Sequence, residues 1–242
     1  MNKTTAILIT ICFVLIAPKG FAQKKITYGV GIDIFQTKLI NIDKENYSGY
    51  FLSVPHYKEK TPIYGQSPTI QLQYDVNKKW HLLTGLGYIG HHSQFHFDYT
   101  DHWGFKINTT LINKLHYLTI PILINYNIWN QSKNSIDIGA GVLNKFLIKA
   151  QSNFPDIIIE DIHIPLQGKN YVLSSRIEMK YNLAFKNRSK ASLLLFLSQD
   201  VTSYISGVRI FQNTFIHDNL GKSKYLFYGL GLRYSLSNLN HH

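Results

Sequence analysis

Residues Leu115 to Ile128 alternate. His116, Leu118, Ile120, Ile122, Ile124, Tyr126 and Ile128 form an apolar set with aromatic or polar ends. The positions between them, Tyr117, Thr119, Pro121, Leu123, Asn125 and Asn127, are mixed and increasingly polar. A period of two specifies a strand with two unlike faces. At ~3.3 Å per residue the stretch is longer than an ordinary globular strand. It fits a tilted membrane-spanning strand whose ends protrude. Pro121 cannot donate to a ladder, so it predicts a bulge or kink.

Residues 1–22 read as a cleaved export signal. Lys3 supplies positive charge, Ala6 to Ala17 an apolar run, and Gly20-Phe21-Ala22 a small-residue cleavage site before Gln23. The apolar run is too short to span a bilayer and stops at Pro18-Lys19-Gly20. The one cysteine, Cys12, falls in this leader. Ile11 before it does not fit a lipoprotein signal. Residues 23–242 therefore have no thiol chemistry and form one domain. No segment in them offers the ~20 consecutive apolar residues of a spanning helix. Only a closed barrel then satisfies every backbone group in lipid.

Alternation recurs along the chain. Segments are predicted at Ile26–Gln36, Thr69–Val76, Trp80–Phe97, Leu115–Ile128, Ile136–Lys145, Tyr171–Leu183, Ala191–Gln199 and Tyr225–Leu236. Short turns at Asn77–Lys79, Trp129–Asn134 and Lys186–Lys190 alternate with long connections at Thr37–Pro68, Asp98–Asn113, Lys149–Asn170 and Asp200–Ser223. This predicts an all-β, eight-stranded antiparallel up-and-down transmembrane barrel, with turns periplasmic and loops extracellular. Ten strands result if Tyr47–Val54 or Ile205–Phe215 adds a hairpin.

The acids favour this over a soluble sandwich. Asp43, Glu45, Glu59, Asp98, Asp101, Asp156, Glu160, Asp161, Asp200 and Asp218 fall in the predicted loops. Asp33, Asp75, Asp137 and Glu178 fall on the less apolar strand faces, and none on an apolar face. Lys145, Arg176, Lys180 and Arg233 share those inward faces, so an ion-pair network should fill the lumen. Asp33 and Arg233 should pair, because the first and last strands adjoin on closure. Tyr28, Tyr74, Trp80, Tyr126, Tyr181 and Tyr234 recur near the turn ends and suit an interfacial girdle.

The net charge is +11. On an exported chain that excess points to anionic lipid and lipopolysaccharide phosphates, and not to nucleic acid. The stretch His91 to His102 is the one constellation rich in ligand types. His92 and His96 share a face, but extended i, i+4 spacing sets them ~13 Å apart, too far for one ion without a bend. The expectation is a polar rim with no cofactor. A barrel-wall lipid hydrolase could use Ser93 with His91, His92 and Asp98, yet no nucleophile-elbow motif is present. A narrow pore or transporter is the other alternative to a plugged lumen.

The Ala22-Gln23 junction, the Leu115–Tyr126 strand with its Ile120-Pro121 pair, and Gly229-Leu230-Gly231-Leu232-Arg233-Tyr234 resemble the PorT-like small outer-membrane barrels of Bacteroidetes. Thr119 stands where that pattern carries an acid before Ile-Pro. The resemblance implies an eight-stranded barrel inserted by the barrel-assembly machinery, with no catalytic residues to carry over. The expected role is a non-enzymatic anchor. Its loops would meet a protein, lipopolysaccharide or a host surface.

Overall fold

The computed structural model describes residues 26–40, 56–59, 63–100, 106–153, 170–185, 189–202 and 224–237. The segment 1–22, expected as an export signal, and both candidate added hairpins, Tyr47–Val54 and Ile205–Phe215, lie outside them.

The described residues form antiparallel strands β1 (Ile26–Ile40), β2 (His56–Glu59), β3 (Ile63–Asp75), β4 (Trp80–Thr100), β5 (Lys106–Gln131), β6 (Asn134–Asn153), β7 (Tyr171–Ala184), β8 (Ser189–Asp200) and β9 (Lys224–Ser237). Sequential neighbours pair from β3 to β9, β1 pairs with β3, and β9 returns to β1. Eight strands thus close a ring. The short β2 pairs only with the outer part of β4, His56 opposite Asp98. Within the ring each strand pairs on both sides, as a membrane requires, and only the loop-end extensions, such as 106–111 of β5 and 148–153 of β6, pair on one side among the described residues.

Every predicted strand is present, and most run further towards the loop end. The segment Asp98–Asn113, expected as a loop, is largely ladder: Asp98 pairs with Asn108 and Thr100 with Lys106. β6 continues past Lys149 to Asn153, and β3 starts at Ile63, so Pro68 is a strand residue opposite Ile32. Polar side chains there obscure the hydrophobic pattern, although the backbone still pairs.

Pro121 makes no bulge. It faces Leu143 in register, and the β4–β5 ladder holds one register from Thr84–Ile122 to Gly87–Thr119. The bulges lie instead at His116/Tyr117 and Asn127/Trp129, where β6 and β5 respectively carry an extra residue. The β3–β4 turn is closed by Asn77, whose Oδ1 accepts from the backbone N–H groups of Lys79 (2.8 Å) and Trp80 (2.9 Å). The β5–β6 turn places Ser132 in the left-handed region at φ 53°.

The exterior is an apolar belt. Val30, Ile34, Ile70, Leu86, Ile124, Ile177, Leu193, Leu230 and Leu232 are all exposed. On β5 the belt runs from Tyr126 to His116. Ten residues at ~3.3 Å, tilted ~40°, project to about 25 Å, the height of a lipid-facing band. A closed barrel wearing this belt is a membrane-spanning barrel. No helix among the described residues is long and apolar enough to cross.

Candidate functional site

Alternation turns the other face of each strand inward, and the lumen is filled in three levels. The central level is a chain of opposite charges. Arg233 pairs with Asp33, whose other oxygen meets Arg176 Nη1 at 2.9 Å. Arg176 Nε meets Glu178 at 3.0 Å, and Lys180 Nζ lies 3.6 Å from the same carboxylate. Arg176 also stacks 4.1 Å over the Phe196 ring. Three ring steps separate β1 from β7, so the Asp33–Arg176 pair crosses the interior. Gly31 and Gly231 make it possible. A Cβ at Gly31 would fall 2.2 Å from the Arg233 side chain, and one at Gly231 would fall 2.3 Å from Asp33.

The turn-end level is separate. Asp137 accepts from Asn127 (2.7 Å) and Asn182 (2.8 Å), and Ser192 donates to Asn182 (2.7 Å). Asp75 stands apart at the rim. Its carboxylate meets His81 Nδ1 at 2.8 Å and accepts a hydrogen bond from the Gln73 side-chain amide at 2.9 Å. The single network expected from sequence is therefore divided. Asp75 and Asp137 have local partners; Lys180, which meets Glu178 of the central level, lies opposite Asp137 in register, and Lys190 Nζ stands 3.9 Å from Asp137.

At the loop-end level the sequence pattern marks Lys145 as inward but not its partner. Asp200, expected in a loop, ends β8 inside the barrel. It accepts from Lys145 (2.8 Å), Ser174 (2.6 Å) and the Tyr225 backbone N–H (3.3 Å). Lys145 also sits 3.7 Å over the Phe227 ring. Around it Phe35, His91, Tyr117, Tyr225 and Phe227 pack as a buried aromatic cluster, with His91 edge-on to Tyr225 at 4.9 Å and Phe227 at 5.7 Å. These rings come from the faces that carry the charges. The plug is thus ionic at mid-height and aromatic above. Between Asp33, Thr69, Leu123 and Glu178 remains a cavity of about 20 Å³, room for one water.

A barrel stoppered this way is expected to pass no ions. In planar-bilayer recordings it should give no stable nanosiemens openings. Reproducible steps of that size would mean the charged chain parts to form a path.

The exposed candidates separate likewise. Trp80, Tyr28, Tyr181 and Tyr234 lie on the outer wall at the turn end, and Trp80 packs on Tyr126 at 4.7 Å between ring centroids. Tyr74 is opposite Ile26 and Leu82 in the same row. A second set, Tyr64, Tyr88, Tyr171 and Tyr228, sits towards the loop end. Their place at the top of each outward face was a signal available from spacing. His91 points into the lumen and His92 outward, so the two do not converge. The side chains of Ser93, His96 and Asp98 lie outside the described residues. Among the described residues no group of three His, Cys, Asp or Glu is placed to hold a metal.

No protein-family model matches the chain. No curated protein matches it either. Solved structures do. The outer membrane protein OprG from Pseudomonas aeruginosa is 9% identical, with 88% of this chain and 97% of that one covered and a TM-score of 0.47. The outer membrane protein AlkL in lipid bilayers is 9% identical, covering 91% and 93%, with a TM-score of 0.43. The outer membrane protease OmpT from Escherichia coli is 7% identical, covering 88% and 96%, with a TM-score of 0.45. At this distance nothing about activity passes from them to this chain, and the barrel assignment rests on its own strand pairing.

Proposed function

We propose that this chain is a non-enzymatic barrel of the bacterial outer membrane, kin to the PorT-like group, whose body anchors the connections between its longer strand ends. Those connections, at 101–105, 154–169 and 203–223 together with 41–55, are its working surface towards a protein, a glycolipid or a host. The observation that carries this reading is the plug. Charges pair across the lumen and aromatic rings cover them, so the described interior offers no open path for a solute, which favours recognition outside the lumen. Insertion would go through the barrel-assembly machinery, in keeping with the Gly229–Tyr234 closing strand.

Its test exploits the absence of cysteine after residue 22. Single cysteines at Asp101, Asp161 and Asn213 should label in intact cells with a membrane-impermeant maleimide. Lys133→Cys, in the β5–β6 turn, should label only after lysis. The opposite pattern would invert the barrel and end the proposal. Cross-linkers attached at the labelled sites then identify what the loops touch.

A further inference from the structure

The outer wall of the barrel is electrostatically one-sided. Among the described residues every carboxylate with a placed side chain, Asp33, Asp75, Asp137, Glu178 and Asp200, points inward or to the turn-end rim, where each has a partner. Among the described residues the outward cations have no carboxylate partner. The densest group is on β4, β5 and β6 just above the apolar belt. His92 lies directly opposite Lys114, His116 opposite Lys149, and Lys114 opposite Gln151. Lys114, Lys149 and His92 are exposed, and among the described residues Lys114 and Lys149 make no ion pair.

A bulge builds this group. Leu118 pairs with Phe146 and Tyr117 with Leu147, but His116 pairs with Lys149, so Ile148 is the extra residue. Without it, alternation would turn Lys149 into the lumen. With it, Lys149 joins His116 and Lys114 on the outer face, beside an exposed Ile148. The imidazole of His116 is held in place. Its Nδ1 shares a hydrogen bond with the Tyr88 hydroxyl, and the two rings stack at 5.8 Å. Gly90 leaves space for this, since a Cβ there would already stand 3.3 Å from the Tyr88 ring.

Neighbouring cations on one sheet face repel one another. An anion between them removes that cost. Two lysines on a cross-strand diagonal stand ~7–8 Å apart at their backbones, a span one phosphate can bridge. The patch is continuous below with Leu118 and Leu86, where acyl chains would lie. We propose that His92, Lys114, His116 and Lys149 form a docking site for the phosphate groups of an outer-leaflet glycolipid, with its acyl chains on the belt beneath. This rests on the outer-membrane reading and its orientation.

The test uses the mature barrel refolded in neutral detergent, titrated with bisphosphorylated lipid A, with bound lipid counted by native mass spectrometry. Lys114→Gln with Lys149→Gln should weaken binding by about tenfold or more, given the contribution of two lysines near an anionic surface. Lipid A stripped of phosphate should bind the parent as weakly. Lys78→Gln with Lys79→Gln, at the opposite turn, should leave binding unchanged. Heat-dependent gel migration confirms that each variant is folded. Equal binding by the Lys114/Lys149 variant, equal binding of dephosphorylated lipid, or displacement by millimolar inorganic phosphate each overturns the proposal. Failure of the membrane reading looks different: the barrel would fold without detergent, or its loop cysteines would stay unlabelled on intact cells.

Discussion

Replacing Asp33 by alanine is expected to remove about 3–5 kcal/mol of stability, the cost of breaking a buried ion pair by deleting one partner. Asp33 is 1% exposed and receives two guanidinium groups, from Arg176 and Arg233. Without it Arg176 keeps its ion pair with Glu178, while Arg233 loses its ion pair and keeps a hydrogen bond to the Leu232 carbonyl at 3.1 Å. Two positive charges then face each other in a space closed by Phe196 and Leu194. Equilibrium urea unfolding in lipid vesicles measures the loss. Asp33→Leu combined with Arg233→Met removes both charges and should regain much of it, because an apolar pair of similar volume avoids desolvation. A loss below ~1 kcal/mol for Asp33→Ala would show that water screens the pair, as at an exposed surface.

Part of this arrangement was readable from spacing. Period-two alternation placed Asp33, Glu178, Arg176, Lys180, Lys145 and Arg233 on inward faces, and closure of the ring made Asp33 and Arg233 neighbours. The structure registers Gly31 against Arg233 and Asp33 against Gly231. Alternation says which face a side chain takes, but not how far it reaches. That Arg176 reaches past two strands to meet Asp33 depends on strand stagger and on interior space, neither of which a local pattern encodes. The same limit explains the division of the network. Asp75 and Asp137 lie on the inward face or its rim, yet the side chains directly opposite them on the next strand, His81 and Asn127, capture them first.

Other parts failed for specific reasons. Asp200 reads as a loop residue because hydrophobic alternation ends at Gln199, although the ladder continues one residue further and turns the carboxylate onto Lys145. The upper aromatic cluster was hidden because Phe35, Tyr225 and Phe227 sit on faces otherwise recognised by polarity. Lys149 was unreadable for a third reason. One bulge residue, Ile148, reverses the face of everything after it, and nothing in the local sequence marks it. Pro121 marked the wrong place, since a residue without an N–H need only leave the ladder unmade on one side. The patch proposed for glycolipid phosphate thus depends on backbone register and not on any motif.

The belt itself permits the second large effect. Leu232→Arg is expected to destabilise the barrel in a bilayer by about 2–4 kcal/mol, the cost of a basic side chain near the midplane of a lipid-facing strand. Leu232 is 60% exposed, the profile of a position that an aqueous protein could change to arginine within ~0.5 kcal/mol. The two environments therefore predict different outcomes at one site. Its cross-strand neighbours are Ile32 and Leu193, so no acid beside it can neutralise the new charge. The same change at Gln131, by the β5–β6 turn, should cost nothing measurable, because there the head group reaches water. Leu236→Arg, four residues nearer the turn end than Leu232, should fall between them as the side chain extends towards the interface. Unfolding free energies for the three variants in vesicles give a depth profile. A flat profile would mean that this leucine-rich wall does not face hydrocarbon, and the anchor, its orientation and the glycolipid patch would fall with it.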